Sequence, residues 1–183
     1  NGKVYLGLNA GDENIASEFV NAEGCEKKYF FGQHPAGNVG IQIHHTAPIA
    51  GGDTVFTINL QDLLIIGNLF LEGKWDTTKL VALSGSEFEN QTHVRTKAGA
   101  NIGDLIKGNL MNDKARILSG DVLTGKRKTT EQFLNIWDDQ ITTIKEGDEY
   151  EMFGWLAPMA ARPSVSQTFL SGLFDVTYEA NTN

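Results

Sequence analysis

The stretch NLQDLLIIGNLFLEG, residues 59–73, carries the clearest local signal in this sequence. Asn59 is a favoured N-cap residue and Asp62 follows three positions later, which is close to a capping box. Gly73 is well placed to end the helix. The pattern therefore predicts a helix over residues 60–72. Its broad apolar face is formed by Leu60, Leu63, Leu64, Leu69, Phe70 and Leu71, together with Gly67.

This face is wide enough to be buried on more than one side. We therefore expect Leu64 to lie in the core. There its replacement by alanine would cost about 2–5 kcal/mol of folding free energy.

Strands are predicted on both sides of this helix. Residues 54–58 are β-branched and aromatic, and residues 79–83 form a short apolar run. A strand, a helix and a strand within about 30 residues predict a βαβ unit, with parallel strands and a right-handed crossover. Two earlier strands, over residues 3–8 and 28–31, complete a Rossmann-like α/β layer that we assign to residues 1–85. No GxGxxG motif follows a strand, so the usual dinucleotide site is not indicated.

The periodicity changes after residue 85. Residues 86–150 combine one short helix, capped by Asn101, with several short strands and glycine turns, which predicts a β-grasp module. Residues 151–183 are expected to form a C-terminal arm that packs back on the domain or leads into a further helical domain. The predicted strands of the β-grasp module cover residues 93–95, 116–118, 133–136 and 140–145.

The connection FGQHPAGNVGIQIHHTAP, residues 31–48, holds three of the four histidines. Pro35 fixes its own φ and pushes His34 into an extended conformation. Gly37 and Gly40 permit a positive φ or a close backbone approach. The composition predicts a shaped loop with little regular structure, and loops held on a rigid scaffold often carry function.

Composition and charge exclude several classes of protein. The net charge of −8, spread along the chain, argues against nucleic acid as a partner. No apolar run reaches the roughly 18 residues of a spanning helix, so we predict that the chain is not itself transmembrane. A single cysteine, Cys25, cannot form an internal disulfide or supply the ligands of an iron–sulfur cluster.

Several stretches resemble, in the same order, the NqrA subunit of the bacterial Na+-translocating NADH:quinone oxidoreductase. The resemblance implies a middle portion of that subunit. Within it, residues 94–125 resemble the soluble-ligand-binding β-grasp (SLBB) pattern, whose glycines are matched by Gly99, Gly108, Gly120 and Gly125. The matching stretches are GQHPAGNVGIQIHH (32–45), INLQDLLIIGNLFLEGKW (58–75), VALSG (81–85), HVRTKAGA (93–100), ARILSGDVLTG (115–125) and EMFGWLAPM (151–159).

The resemblance implies a peripheral subunit on the cytoplasmic face of the bacterial inner membrane. Such a subunit is linked to quinone interaction and to assembly with the other subunits of the membrane complex. Quinone is then a substrate of the whole complex, whereas NADH, flavins and Na+ are handled by other subunits. The chain itself is expected to bind no redox cofactor and to be inactive when isolated.

The candidate quinone contacts are His34, Gly37 and His44. A neutral imidazole offers one donor, which suits a quinone carbonyl, although hydrogen bonding to neighbouring backbone is the commoner role for such a histidine. If residues 41–46 are extended, His44 and His45 point to opposite faces and cannot bind one metal ion. We therefore predict no metal site. We also name no catalytic residue, because no nucleophile–base pair, carboxylate pair or phosphate loop stands out.

Other residues allow two interpretations each. The cationic run Lys126–Lys128 could meet an anionic partner or a lipid headgroup, but it also fits a solvated surface. The tryptophans at 75, 137 and 155 are expected in the core or at a domain interface.

Two other functions stay open at this point. One is a free-standing β-grasp protein that binds a soluble ligand and has no redox role. The other is a small metal-dependent enzyme that uses His34, His44 and a carboxylate such as Asp53.

Overall fold

The structure, a computed structural model, describes residues 2–33, 35–147, 152, 164, 166, 168 and 170–173. Its contacts divide the chain into two units, Asn1–Asn59 and Leu60–Asn183. The first unit contains β1 (Tyr5–Asn9), α1 (Ser17–Val20), β2 (Glu26–Phe30) and α2 (Val39–Thr46). The second contains α3 (Leu60–Glu72), β3 (Thr78–Gly85), β4 (Thr92–Lys97), α4 (Ile102–Ile106), β5 (Arg116–Ser119), β6 (Lys126–Lys128), β7 (Gln140–Ile144) and a 3-10 turn, Leu170–Leu173.

In the first unit, β1 and β2 form a parallel pair whose register runs from Tyr5 opposite Glu26 to Asn9 opposite Phe30. Both strands were predicted, with ends shifted by one or two residues. Helix α2 lies close to β1 at one point, because a Cβ added at Gly7 would come within 2.5 Å of Gln42 Oε1. Gly7 therefore leaves the space that the Gln42 side chain occupies.

The prediction that residues 31–48 form a loop with little regular structure is wrong for residues 39–46, which are α2. Its last turn is closed by the Ala47 N–H, which donates to the Ile43 carbonyl at 2.9 Å. Val39 and Ile43, one helical turn apart, match a helix period that the neighbouring glycine and histidines obscure.

The βαβ unit predicted around α3 is also wrong. Helix α3 has the predicted bounds, and Gly73 follows it with a φ of +67°. Residues 54–58, however, form no strand. Their large side chains are exposed, Phe56 almost completely. β-Branched and aromatic residues favour a strand only where a neighbouring strand and a half-buried surface receive them.

The second unit is built on a five-stranded sheet with the order β4-β3-β7-β5-β6. Its first and last strands, β3 and β7, lie parallel at the centre. β4 pairs antiparallel with β3, while β5 pairs antiparallel with both β7 and β6. A mixed sheet with a single crossing helix, α4, is the predicted β-grasp arrangement. The strand predicted over residues 133–136 is wrong, because Phe133 makes only an isolated bridge to Asn101.

The core of the second unit lies between α4 and one face of this sheet. Helix α4 begins as predicted at Asn101, whose side-chain oxygen accepts the Asp104 N–H at 3.1 Å. Ile102 and Ile106 then point into the core. The core cluster is completed by Val81, Leu83, Phe88, Ile117, Leu134 and Ile141.

The hydrogen bonds of β3 join it to strands that follow it, whereas the sequence analysis placed it in a domain of residues 1–85. The predicted boundaries at residues 85/86 and 150/151 stay predictions. Most of the predicted arm at 151–183 lies outside the described residues.

Two side chains attach α3 to β3. The Gln61 amide donates to the Leu80 carbonyl at 2.9 Å and accepts the Leu80 N–H at 2.7 Å, so it imitates the backbone of a pairing strand. Asp62 forms an ion pair with Lys79 at 3.1 Å. Lys79 is only 1% exposed, and its ammonium also donates to the Ile136 carbonyl at 3.0 Å.

The predicted burial of Leu64 is wrong. Leu64 is 58% exposed, whereas its neighbour Ile65 is 8% exposed and is the buried residue of α3. Asp62 and Ile65 lie three residues apart on the face directed at the sheet. The ion pair thus turns toward the sheet a face that the count of apolar residues did not identify.

We expect Ile65→Ala to lower the free energy of unfolding by about 2–5 kcal/mol, because it removes a buried side chain and leaves a cavity. Leu64→Ala should change it by less than about 0.5 kcal/mol, because that side chain is already in solvent. Denaturant unfolding followed by circular dichroism measures both variants. Equal losses would contradict this orientation of α3.

Asp62→Ala should cost about 3–5 kcal/mol, because it removes the carboxylate that faces the buried Lys79 ammonium. The double variant Asp62→Leu with Lys79→Met should recover most of this loss, since it removes both charges. Glu26→Ala is a suitable control: it breaks the exposed Lys3–Glu26 pair, 3.7 Å apart, and should cost less than about 1 kcal/mol. A double variant as unstable as Asp62→Ala would show that the charge is not the cause.

Candidate functional site

The loop after β2 lies at the edge of the first unit where ligands bind in parallel sheets. β1 and β2 are parallel, so their carboxyl ends, at Asn9 and Phe30, share one edge. The Ala10 N–H donates to the Phe30 carbonyl at 2.8 Å and joins the two connections that leave this edge. The Phe31 ring covers Gly11, where an added Cβ would come within 2.8 Å of it. The two connections therefore form one surface.

The structure places two of the three candidate quinone contacts on this loop and the helix after it. Gly37 is exposed and has open space around it, and His44 is exposed on α2. His34 is not among the described residues, so its role stays a prediction. The Asn38 side chain makes no capping hydrogen bond, and the first N–H groups of a helix lack intrahelical partners. This end of α2 can therefore donate to a carbonyl oxygen.

His44 and His45 do not point to opposite faces, because they lie on a helix and not on an extended segment. Their ring centroids are 5.0 Å apart and the rings are nearly perpendicular. Asp53, the carboxylate of the metal-enzyme hypothesis, accepts the Ala50 N–H at 3.0 Å within its own turn. Within the described part of the chain, no cluster of three His, Cys, Asp or Glu side chains could hold a metal ion.

A cleft of about 500 Å³ lies in the second unit, between residues 119–126 and residues 135–140. The first wall is a tight turn between two glycines. Gly120 has a φ of +97°, and a Cβ added at Gly125 would come within 2.3 Å of the Asp121 carbonyl. The Asp121 carboxylate accepts the N–H groups of Leu123 and Thr124, each at 2.7 Å. Glycines and an aspartate therefore shape this wall.

Buried polar contacts join the two segments of the cleft. The hydroxyl of Ser119, which is fully buried, donates to Asp138 Oδ2 at 2.5 Å and accepts the Asn135 N–H at 3.1 Å. The Asn135 side chain also donates to Asp138 Oδ2, at 2.9 Å. The sequence analysis noted the glycine turn but missed these three residues. No periodicity marks them, because their contacts join residues 16–19 positions apart.

The cationic run Lys126–Lys128 is strand β6, and its three residues have different environments. Arg127 forms an ion pair with Glu146 at 2.8 Å, and Arg116 bonds the same carboxylate. The hydrogen bonds from Arg116 hold the pKa of Glu146 below its usual value, so this carboxylate stabilises the fold above that value and less as the pH falls. Lys126 instead lines the cleft.

The tryptophans also differ from the prediction. Trp75 and Trp137 are exposed and not in the core, and Trp137, at 72% exposure, lies on the cleft. Trp155 is outside the described residues. Among the residues that the structure describes, no helix has both the length and the apolar character needed to cross a bilayer.

Comparison with protein families gives two matches along the chain. The model described as the NqrA second alpha/beta domain matches residues 1–75, and the SLBB model described as the NQRA C-terminal domain matches residues 80–130. They agree in kind and order with the predicted fold class, an α/β layer followed by a β-grasp module, which is confirmed.

Individual relatives are all named as the NqrA subunit of the Na(+)-translocating NADH-quinone reductase. The protein of Psychromonas ingrahamii is 39% identical over 93% of this chain. Those of Neisseria meningitidis serogroup B and Haemophilus influenzae are each 37% identical, over 92% and 94% of it. The chain spans 37–39% of the length of these relatives. It belongs to the NqrA family of Na+-translocating NADH-quinone reductase subunits.

Proposed function

We propose that this chain works as part of a peripheral subunit of a Na+-translocating NADH-quinone reductase, on the cytoplasmic face of the bacterial inner membrane. The observation that carries this proposal is the match of two successive domain models of one subunit. Its partners are then the other subunits of the membrane complex. In that complex, electrons from NADH reach a quinone while Na+ crosses the membrane.

Within that role, the loop after β2 is the proposed place of quinone contact. A quinone head group needs a hydrogen-bond donor for its carbonyl and an apolar surface for its ring. Candidate contacts are His34, Gly37 and His44, with the exposed ring of Phe31 on the same edge. The position of the loop at the carboxyl edge of a parallel strand pair supports this assignment.

The chain itself is proposed to carry no redox cofactor, and NADH, flavins and Na+ are proposed to bind to other subunits. The sequence supports this, since it lacks the glycine-rich nucleotide loop and contains one cysteine. A free-standing ligand-binding protein would need no membrane partner, so assembly separates that function from this one.

Assembly is tested with the complete gene product that contains this chain, tagged and expressed in its native host. We expect it to copurify with the membrane subunits. Deleting its gene should abolish NADH:quinone reduction in membranes but leave NADH oxidation by an artificial electron acceptor. The isolated chain should show no visible absorption band after dialysis. Purification of the tagged protein alone, with quinone reduction intact in the deletion strain, would contradict the proposal.

The loop is tested by His34→Ala and His44→Ala in the complete subunit within the assembled complex. Each should weaken quinone binding by about 0.5–1.5 kcal/mol, the contribution of one neutral hydrogen bond, and so raise the KM for quinone about two- to tenfold. His45→Ala is the matched control, because it removes a neighbouring exposed ring of the same helix. NADH oxidation by an artificial acceptor should not change. A collapse of flavin reduction by NADH would show that the loop is catalytic.

A further inference from the structure

The segment Asn135–Gln140 is held rigidly and yet exposes two large apolar side chains. The Ile136 carbonyl accepts from the buried Lys79 ammonium, and the Asp139 carbonyl accepts the Ala82 N–H at 2.9 Å. Between these anchors, Ile136 is 53% exposed and Trp137 is 72% exposed, and both line the cleft. Single exposed apolar residues are common on protein surfaces. Two adjacent ones on a fixed backbone at a cleft form a ready-made surface for a flat ring, with little ordering entropy left to lose.

The opposite wall supplies a free donor. Lys126 lines the cleft, and within the described part of the chain its ammonium has no hydrogen-bond or ion-pair partner. The other two cationic residues of β6 are not equivalent, since Arg127 is engaged by Glu146. Gly120 and Gly125 carry no side chains that would fill the space between Lys126 and the apolar lip. A ligand that lies on Trp137 can therefore direct an acceptor toward this ammonium.

The charges of the cleft restrict the ligand further. Its lining contains three carboxylates, those of Asp121, Asp138 and Asp139, against the single ammonium of Lys126. Asp121 and Asp138 already accept hydrogen bonds from the protein. A phosphate or carboxylate would be repelled by this excess of negative charge. An uncharged ligand meets no such repulsion, and its carbonyl can still accept from Lys126.

We propose that this cleft binds an uncharged planar ring that carries a carbonyl acceptor on its rim. The ring would lie against Trp137 and Ile136, and the carbonyl would accept a hydrogen bond from Lys126. A cleft of about 500 Å³ accommodates a ring of one or two cycles. Rings of this chemistry occur in quinones and in nicotinamide. The inference concerns the β-grasp unit alone and does not rest on the proposed role of the loop after β2.

The test is a titration of the chain, observed by amide and indole NMR signals, with two separate probes. One probe is a fully substituted dimethoxydimethylbenzoquinone, which offers no free ring carbon to the Cys25 thiol. The other is nicotinamide. We expect saturable shifts of the Trp137 indole signal and of amides in both cleft segments with at least one probe. The probe that binds identifies the source of the ring.

Trp137→Ala should weaken this binding about tenfold, because it removes the stacking surface. Lys126→Met should weaken it about fivefold, because it removes the donor and keeps the length of the side chain. Trp75→Ala is the matched control, an exposed tryptophan outside the cleft, and should leave binding unchanged. Both mutated cleft residues are exposed, so the variants should keep the wild-type amide spectrum.

Three results would overturn the inference: no saturable shift with either probe, shifts that persist in Trp137→Ala, or shifts confined to residues 31–46. None of them bears on whether the complete subunit copurifies with its membrane partners. Loss of copurification, conversely, would leave binding to the cleft as it is. The two proposals therefore fail independently.

Discussion

A lysine ammonium that is removed from water must find its partners inside the protein, and Lys79 imposes this constraint on the second unit. It finds the Asp62 carboxylate on α3 and the Ile136 carbonyl on the segment before β7. Three parts that are distant in sequence are thereby held at one point: a helix, the central strand β3 and one wall of the cleft. The orientation of α3, with Ile65 inward and Leu64 outward, follows from the same ion pair.

Both candidate sites are loops fixed at the ends of strands. In the first unit, the parallel pairing of β1 and β2 brings two connections to one edge, where Phe31 covers Gly11. In the second, the glycine turn after β5 faces the segment before β7 through the Ser119–Asp138 hydrogen bond. In each case regular strands supply the rigid base, and residues without regular structure supply the chemistry. Short polar contacts across the base make these loops surfaces of defined shape.

Local signals predicted several elements well. Helix α3 shows its own period and a closing glycine, and α4 has its Asn101 cap, so both follow from neighbouring residues alone. The failures share a cause. Residues 54–58 have strand composition but no strand beside them, and the glycine and histidines of α2 hide a helix of eight residues. Propensity describes what a segment can form, while its neighbours decide what it does form. The site followed the same division: the glycine turn was predicted, and its polar contacts were not.

The sequence by itself determined the family, the order of an α/β layer before a β-grasp module, and the glycines that shape the turn at residues 120–125. These are properties of single residues and of short-range order, which a linear pattern retains. Only the tertiary structure decided that β3 and β7 pair in parallel, that Lys79 is buried against Asp62, and that Trp137 faces solvent. The reason is physical: burial and pairing depend on residues distant in sequence, whose approach the linear pattern does not record.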